Sequence, residues 1–455
     1  TPKMLILGIH LLLINMKNIL NINSKIKPFN KKITTEGDKS LSIRWALLSS
    51  QAIGKSTAYN LLKSEDVLNT LDCLKKLGVK VKLYKNRCVI IGSGINKFSY
   101  KKNLVLDCGN SATLGRLILG FLVHSKSKIK IIGDESLSKR DFKRIINPLE
   151  KFGAKFQTNS GKLPITVQGT EHPNPIKYLE NKGSAQCKSC VMLAALNTPG
   201  KTMIKAKKSR NHTELLYKHL KLPIKIKRDK KYDFITINGI KKIKKLNYKI
   251  PSDISSSSFF IVLTILSEKS ELIIKNVNIN PSRIGILKIL KLMNIKIFIK
   301  NKKNYKGEMI ADLHVKSQKN IAPINCPTKF NSQSIDEFLL IFLVAAKANG
   351  ISYFKNLSEL NEKESPRLVW GSKILSALGV KNIIKNNGIK IYGNPDLKVS
   401  KNITIKNYLK DHRVFMTSVV AALCFGGNWK IHDKSSINTS FPSFLDKLKL
   451  LGLKI

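Results

Sequence analysis

A short phrase recurs six times along the 455-residue chain and constrains its fold more than any other feature. Each copy begins as a leucine-rich amphipathic helix, turns at one residue and continues as a short strand, as in TLDCLKKLGVKVKL and FLDKLKLLGLKI. Glycine or asparagine after a helix accepts the left-handed conformation that ends it, and β-branched residues favour the strand that follows. The predicted turn positions, 70 to 85 residues apart, are Gly78, Gly153, Pro223, Asn294, Gly379 and Gly452.

This spacing is too long for a thin solenoid repeat and leaves room for two helices and several strands in each copy. The sequence therefore predicts six similar α/β units. A polar, turn-rich crossing at residues 249–253, about half-way along, predicts a hinge between two lobes of three units each. Apolar runs predict buried helices at residues 185–196, 256–266, 335–348 and 414–423.

The charge is extreme: 81 Lys and Arg against 29 Asp and Glu give a formal net charge of +52. Such a charge ordinarily suggests a nucleic acid or an anionic membrane as partner. However, only 10 of the cations are arginine, and Lys, Ile and Asn are enriched together, as in proteins from AT-rich genomes. We therefore interpret most of the lysine as compositional and look for function at the arginines.

Composition excludes several classes of protein. A hydrophobic content of 42% with 24% charged residues is that of a globular chain, not a disordered one. Seven cysteines, an odd number, do not suggest a secreted disulfide scaffold and favour a reducing cytosol. The longest apolar stretch, residues 4–15, is too short for a membrane helix. Because Met16 follows it, we expect residues 1–15 to be a doubtful N-terminal extension from an over-extended reading frame, with a targeting segment as the alternative.

Most of the arginines lie in compact polar motifs, each followed by an apolar helix. In the first motif Asp38 is a predicted N-cap, and Ser40 and Arg44 lie four residues apart on one helical face beside Lys39. Cations and a hydroxyl at a helix N-terminus can hold an oxyanion or phosphate. Seven arginines fit the pattern and predict a small substrate with several negative charges: Arg44, Arg116, Arg140, Arg144, Arg210, Arg367 and Arg413.

These motifs, taken in order, resemble those of the EPSP synthase (3-phosphoshikimate 1-carboxyvinyltransferase) family of enolpyruvyl transferases. They are DKSLSIR, LDCGNSATLGR, GDESLSKRDFKR, GSAQCKS, SRNHTE, SDISSSSFF, IDEF, EKESPR, DHR and NTSFP, and they cover roughly residues 35–445. The resemblance implies a two-lobed α/β fold with three similar units per lobe, related by a pseudo-threefold axis as an inside-out barrel. It implies lobe 1 at residues 16–36 and 253–455, lobe 2 at residues 37–252, and an active site in the cleft between them.

The resemblance also implies a reaction: phosphoenolpyruvate and shikimate 3-phosphate give 5-enolpyruvylshikimate 3-phosphate and phosphate, through a tetrahedral intermediate, on the route to chorismate and the aromatic amino acids. Asp336 would remove the 5-hydroxyl proton, Glu364 would protonate C3 of phosphoenolpyruvate, and Lys39 would lie near the reacting centre. No metal or other cofactor is implied. The expected protein is a cytoplasmic monomer that binds small anions and neither nucleic acid nor membrane.

The binding residues are carried over by motif. Those implied for shikimate 3-phosphate are Lys39, Ser40, Arg44, Ser184, Ala185, Gln186, Arg210, Asp336 and Lys363. Those implied for phosphoenolpyruvate are Lys39, Ala112, Arg140, Gln186, Arg367 and Arg413.

Several residues depart from the common family pattern. Ala112 stands where many members have glycine, which resembles the glyphosate-tolerant subgroup and implies weak inhibition by glyphosate. Thr439 stands where some relatives have a ligand-binding lysine. Asp141, Asn211 and Pro366 each replace a common neighbour of a motif arginine, which leaves fine positioning open.

Three alternatives remain at this stage. One is the related UDP-N-acetylglucosamine enolpyruvyl transferase, which shares the fold but uses a loop cysteine. The second, suggested only by the charge, is a basic nucleic-acid-binding protein. The third is an inactive relative. The Cys187 and Cys190 pair has no second pair at zinc spacing, so we interpret it as helix packing, and His212 and His412 as residues that orient their neighbours.

Overall fold

The computed structural model describes residues 18–454, so the predicted extension at residues 1–15 lies outside the described residues. The chain divides into two compact units. Unit 1 contains the described residues up to Thr35 together with Ile254–Lys302 and Ala311–Ile455, and unit 2 contains Glu36–Asp253 and Lys303–Ile310.

Helices and strands alternate along both units, as the repeated phrase predicts. The α-helices are α1 (Lys39–Ser50), α2 (Glu65–Lys76), α3 (Ala112–Leu122), α4 (Glu135–Ser138), α5 (Lys143–Lys151), α6 (Ala185–Leu196), α7 (His212–His219), α8 (Ile254–Leu266), α9 (Gly285–Leu292), α10 (Asn331–Ser334), α11 (Phe338–Ala346), α12 (Arg367–Ala377), α13 (His412–Phe425) and α14 (Phe444–Leu450). Short 3₁₀ helices lie at Thr328–Phe330, Ser358–Glu362 and Lys434–Thr439.

Three sheets with one common topology form unit 2. In each, an edge strand runs parallel to a central strand, which pairs antiparallel with one strand of a hairpin. The first sheet contains β3 (Ala52–Tyr59), β4 (Lys80–Leu83), β5 (Arg87–Ser93), β14 (Ile243–Lys244) and β15 (Tyr248–Lys249); the second contains β6 (Leu104–Asp107), β7 (Ile129–Ile132), β8 (Lys155–Asn159) and β9 (Lys162–Gln168); the third contains β10 (Lys177–Glu180), β11 (Lys201–Lys207), β12 (Ile224–Arg228) and β13 (Tyr232–Asn238).

The sheets of unit 1 are variants of the same plan, and two of them are completed by N-terminal strands. Strand β2 (Asn30–Ile33) runs parallel to β16 (Glu271–Asn278), and β1 (Leu20–Ile22) runs antiparallel to β23 (Asn428–Ile431). The first sheet contains β2 (Asn30–Ile33), β16 (Glu271–Asn278), β17 (Ile297–Tyr305) and β18 (Glu308–Lys316); the second contains β19 (Ile351–Phe354), β20 (Asn382–Lys385) and β21 (Gly388–Tyr392); the third contains β1 (Leu20–Ile22), β22 (Asn402–Ile405) and β23 (Asn428–Ile431).

The six-unit α/β architecture is therefore confirmed, and five of the six predicted turns have the expected geometry. Gly78, Gly153, Asn294, Gly379 and Gly452 all have positive φ. The third prediction, at Pro223, is wrong: the left-handed residue there is Lys221, with φ of 54°. Proline fixes φ near −65°, so it cannot occupy that position and instead lies just before β12.

Each unit has a core of apolar helices that fix the motifs in place. In unit 1, helices α8, α11 and α13 are buried along their whole length, and α8 packs against both of the others. In unit 2, α3 packs against α1 and α6. Close packing on all sides holds these helices rigidly in the core of each unit. Their N-termini are therefore fixed in position. No helix among residues 18–454 is long and apolar enough to cross a membrane.

Candidate active site

The predicted site residues concentrate at the N-termini of the core helices. A helix N-terminus carries unpaired backbone N–H groups and a partial positive charge, which favour an anion. The residues at or beside such ends are Lys39, Ser40 and Arg44 on α1, Ala112 on α3, Ser184, Ala185 and Gln186 at α6, Asp336 before α11, Arg367 on α12 and Arg413 on α13. The others, Arg140, Arg210, Lys363 and Glu364, lie on loops.

The start of α1 is held by two aspartates. Asp38 is the N-cap as predicted, and its Oδ1 accepts a hydrogen bond of 2.9 Å from the backbone N–H of Leu41. The backbone N–H of Lys39 donates to Asp253 Oδ2 over 3.1 Å. The Lys39 ammonium lies 2.8 Å from Asp66 Oδ2, at the start of α2. This ion pair places the lysine charge at the first turn of α1.

Arg44 is buried, and its guanidinium is oriented by neutral oxygen atoms. Nε donates to Thr213 Oγ1 over 2.8 Å, Nη2 donates to Ser189 Oγ over 3.0 Å, and Nη1 donates to the Ser40 carbonyl over 3.1 Å. The Thr213 hydroxyl in turn donates to Ser189 Oγ over 2.8 Å. Three elements, α1, α6 and α7, thus fix this one side chain. Beside it, Lys188 and Glu214 form a fully buried ion pair of 2.6 Å.

The start of α6 brings together the SAQ motif and the arginines of the preceding repeat. Ser184 caps the helix, since its Oγ accepts a hydrogen bond from the Cys187 N–H over 3.2 Å. Gln186 accepts a hydrogen bond from Arg116 and donates to Thr113 Oγ1 over 3.0 Å, both on α3. Burial lowers the pKa of Arg116, and the charges of Arg140 and Arg144 lower it further. Three arginine charges therefore lie close together near Gln186.

Ala112 is the first residue of α3, which Ser111 caps by accepting a hydrogen bond of 3.2 Å from the Leu114 N–H. Arg140 follows α4, and Arg210 lies in the loop just before α7. Asp141, one of the departures, accepts a hydrogen bond of 2.7 Å from the Lys143 N–H at the start of α5. Its carboxylate therefore satisfies a helix N-terminal N–H group there.

In unit 1, one buried arginine gathers three carboxylates. Arg367 is 2% exposed and forms two hydrogen bonds with Asp411, Nε to Oδ2 at 2.8 Å and Nη2 to Oδ1 at 3.2 Å. Nη2 also donates to Glu364, and Nη1 lies 3.4 Å from Asp336 Oδ1. Burial alone would lower the pKa of Arg367, but the charges of Asp411, Glu364 and Asp336 raise it well above its usual value. The arginine is therefore a permanent cation that holds the two predicted catalytic carboxylates near each other.

A second arginine holds the Asp336 segment from the other side. Arg413 Nη1 donates to the Asp336 carbonyl over 2.8 Å, and its Nε lies 4.0 Å from Asp336 Oδ1. The Arg413 N–H donates to Asp411 Oδ1 over 2.9 Å, so Asp411 both caps α13 and anchors Arg367. Lys363, next to Glu364, directly follows the 3₁₀ helix Ser358–Glu362. Five predicted residues, Asp336, Lys363, Glu364, Arg367 and Arg413, thus lie in one region of unit 1.

The remaining departures and the two motif histidines lie beside the helix N-termini or pack against other buried residues. Thr439 Oγ1 lies 3.2 Å from His412 Nδ1, consistent with the interpretation of His412 as an orienting residue. His212 Nδ1 lies 2.7 Å from Glu308 Oε1, and both are buried. Pro366 occupies the N-cap position of α12, and Asn211 that of α7, where neither side chain caps the helix. Cys187 and Cys190 are buried in α6, and residues 18–454 contain no cluster of three or more His, Cys, Asp or Glu that could hold a metal.

Sequence reasoning missed several residues that support the site. Asp411 and Asp66 had no recognisable signal as partners, because they meet Arg367 and Lys39 only through the fold. Arg283 did have one: it ends the polar run NPSR just before α9, the pattern that marked the seven other arginines. It is buried, and its Nη2 donates over 2.8 Å to Ser255 Oγ, which also bonds Glu337, the neighbour of Asp336.

Comparisons with known proteins show the family of the chain. The family description "EPSP synthase (3-phosphoshikimate 1-carboxyvinyltransferase)" matches residues 23–448. A 3-phosphoshikimate 1-carboxyvinyltransferase from Ruthia magnifica subsp. Calyptogena magnifica is 38% identical, covering 94% of this chain and 98% of the relative. The enzyme of that name from Zymomonas mobilis is 36% identical, covering 95% and 96%.

Solved structures give the same result. An EPSP synthase from Acinetobacter baumannii superposes with a TM-score of 0.85 at 32% identity, covering 96% of this chain and 98% of that one. The enolpyruvyl transferase NikO from Streptomyces tendae superposes with a TM-score of 0.74 at 12% identity, with coverage of 96% and 98%. At that identity the second match supports the fold alone.

Proposed function

We propose that this protein catalyses the reaction of the EPSP synthase family, to which the chain belongs. It transfers the enolpyruvyl group of phosphoenolpyruvate to the 5-hydroxyl of shikimate 3-phosphate and releases phosphate, a step of the shikimate pathway. The observation that carries the proposal is the Arg367 cluster, where a buried cation brings Asp336 and Glu364 together. An addition of this kind needs one group to take a proton and another to give one, and two neighbouring carboxyl groups can divide these roles.

The proposed binding roles divide between the units. In unit 2, Lys39, Ser40, Arg44 and Arg210 with the SAQ residues 184–186 bind shikimate 3-phosphate, and Arg140 and Ala112 contact phosphoenolpyruvate. In unit 1, Arg367 and Arg413 bind phosphoenolpyruvate, and Lys363 and Asp336 bind shikimate 3-phosphate. Lys39 and Gln186 contact both ligands. The hydroxyl and carbonyl partners of Arg44 support this role, since they fix the orientation of its guanidinium.

The chemistry then proceeds in two stages. Asp336 takes the proton of the 5-hydroxyl as that oxygen attacks C2 of phosphoenolpyruvate, and Glu364 gives a proton to C3, which leaves a tetrahedral intermediate with a methyl group. In the second stage the C2–O bond to phosphate breaks and the departing phosphate takes the proton that Asp336 held. A proton leaves the methyl group, and the C2–C3 double bond forms again. The Glu364 carboxylate, having given its proton, is the base proposed to receive that one. The fixed cations Lys39, Arg367 and Arg413 offset negative charge throughout.

The test is to measure phosphate release by the purified protein. Release should require both phosphoenolpyruvate and shikimate 3-phosphate. Phosphate release that does not depend on shikimate 3-phosphate, or no release at all, would contradict the proposal. Replacing the acceptor by UDP-N-acetylglucosamine tests the related transferase, and duplex DNA binding measured at physiological salt tests the nucleic-acid alternative. The names of the relatives and the SAQ and KES motifs favour neither alternative.

The proposed inhibitor response depends on Ala112 at the start of α3. Its methyl group would crowd the phosphoenolpyruvate pocket, so glyphosate, a competitor for that pocket, should inhibit weakly. Replacing Ala112→Gly removes the methyl group and should lower the half-inhibitory glyphosate concentration about tenfold or more, as loss of a steric clash of 1–3 kcal/mol would. Micromolar inhibition of the unmodified protein at moderate phosphoenolpyruvate would contradict this.

The proposal extends to a monomer working in the cytoplasm. All seven cysteines are buried and none forms a disulfide, as suits a reducing compartment. Light scattering on a size-exclusion column should give the mass of one 51.1 kDa chain.

A further inference from the structure

A buried carboxylate outside the proposed reaction holds the turn that leads into the SAQ motif. Glu180 ends strand β10 and is 2% exposed. Its Oε2 accepts hydrogen bonds from the backbone N–H groups of Gly183 at 2.6 Å and Ser184 at 2.9 Å. Its Oε1 accepts from the Lys182 N–H at 3.3 Å and from Arg144 Nη2 at 2.6 Å. One side chain thus binds three successive backbone donors and a guanidinium.

This arrangement fixes the backbone from which the motif projects. Gly183 has φ of +77°, a left-handed conformation that other residues rarely adopt, and Ser184 then caps α6. Without the carboxylate, three successive backbone N–H groups would lose their common acceptor, so the turn would no longer be held in one conformation. A charged acceptor strengthens each of these bonds relative to a neutral one.

We propose that Glu180 is a positioning residue for shikimate 3-phosphate, acting through the turn of residues 182–184 on Ser184 and Ala185. The inference rests on the proposed function of residues 184–186. Gln186 is held independently, by Arg116 and Thr113 on α3. Loss of Glu180 therefore weakens the binding of shikimate 3-phosphate selectively, while contacts to phosphoenolpyruvate stay in place.

Arg144 makes a smaller contribution of the same kind. Its side chain is 42% exposed, whereas that of Glu180 is 2% exposed. Water screens the half-exposed guanidinium, so its ion pair contributes little. The buried carboxylate is not screened in this way, and its loss leaves its partners without a charged acceptor. The effect of Arg144→Gln should therefore have the same pattern as the effect of Glu180→Gln, at a fraction of its size.

The experiment compares Glu180→Gln with Asp233→Asn, a control of matched chemistry. Asp233 lies on β13 of the same sheet, is 7% exposed and pairs with Arg228 at 3.5 Å, but it does not contact the turn. Glu180→Gln should raise the Michaelis constant for shikimate 3-phosphate about tenfold or more, because an amide nitrogen must face backbone donors. The Michaelis constant for phosphoenolpyruvate and kcat should change less than about threefold. Calorimetric titration of shikimate 3-phosphate alone should show the same tenfold weakening.

Glu180→Asp keeps the charge and retracts it by one methylene, so it should raise the Michaelis constant for shikimate 3-phosphate less than Glu180→Gln does. If Glu180→Gln fails to fold, a rise in Glu180→Asp that is confined to shikimate 3-phosphate carries the test. Equal rises in both Michaelis constants, or no rise, would overturn the inference, as would matching behaviour of Asp233→Asn. A wild-type protein without phosphate release dependent on shikimate 3-phosphate would instead overturn the proposed function, and this inference with it. An active wild type with an unaffected Glu180→Gln overturns the inference alone.

Discussion

Two buried arginines, one in each unit, are held in opposite ways. Arg44 in unit 2 is 5% exposed and donates to two hydroxyls and a carbonyl, whereas Arg367 in unit 1 is 2% exposed and contacts three carboxylates. Neutral acceptors orient a guanidinium and leave its charge to act on a ligand, while carboxylates share that charge and are themselves held by it. The difference favours anion binding at Arg44 and control of proton-transferring groups at Arg367.

The largest effects should follow from the carboxylates at Arg367. Asp336→Asn and Glu364→Gln each remove one proton-transfer group and should lower kcat roughly 10²- to 10⁴-fold. Glu364→Gln should leave the Michaelis constant for shikimate 3-phosphate nearly unchanged, since Glu364 has no proposed contact with that ligand. Steady-state phosphate release measures both quantities.

The control for this prediction is Asp446→Asn, on the same unit. Asp446 is 75% exposed and pairs at 3.5 Å only with its helical neighbour Lys449 among the described contacts. It should keep wild-type kinetics. If either Asp336→Asn or Glu364→Gln retained wild-type kcat, the assignment of proton transfer to the Arg367 cluster would fail.

The second prediction compares the two arginines by removing one partner from each. Asp411→Asn removes a buried carboxylate from Arg367 and should lower the free energy of unfolding by about 3 kcal/mol, since breaking one side of a buried pair leaves a charge poorly compensated. Thr213→Val removes a hydroxyl that bonds Arg44 and Ser189 and should cost about 1.5 kcal/mol, the lower end of the range for a hydrogen bond to a charged group. Urea unfolding measures both changes. Equal costs would show that the two arginines are held equivalently.

Much of the fold could be predicted because it depends on local patterns. The helix at residues 185–196 has the predicted bounds, since a capping serine begins it and its last seven residues are apolar. The helix expected at residues 335–348 is shorter, Phe338–Ala346. Asp336 and Glu337 lie outside it, where Arg413 binds the Asp336 carbonyl and Ser255 binds Glu337. Such tertiary contacts override helix propensity and leave no trace in the local sequence.

The site was less predictable for the same reason. Motif order indicated which residues carry charge, but not which partners hold them. Asp411 reaches Arg367 across 44 residues of sequence, and Asp66 reaches Lys39 across 27. Likewise, β14 and β15 pair with β3 to complete a sheet whose other strands lie far earlier in the chain. Pairings of this kind depend on the packed helices of each unit, and periodicity along the chain contains no information about them.

One group in each unit has a pKa that makes stability depend on acid. In unit 2, burial lowers the pKa of His124 from 6.5 to about 4. In unit 1, burial would raise the pKa of Asp312, but hydrogen bonds from Lys275, the Asn276 N–H and Asn301 lower it from 3.8 to about 2. In both cases the unfolded chain binds the proton more readily than the folded chain. Stability therefore falls on acidification, between pH 6.5 and 4 for His124 and between pH 3.8 and 2 for Asp312.

The smallest predicted effects are the pH dependences of two variants. As the pH falls from 6.5 to 4, the free energy of unfolding of His124→Asn should rise by about 2 kcal/mol relative to that of the wild type. The variant has no imidazole to protonate on unfolding. Asp312→Asn should be less stable than the wild type, and this difference in the free energy of unfolding should shrink by about 1 kcal/mol between pH 4 and pH 2. The value is reduced for solvent screening. Urea unfolding across this range measures both differences. A His124→Asn difference that stays constant with pH would contradict this prediction.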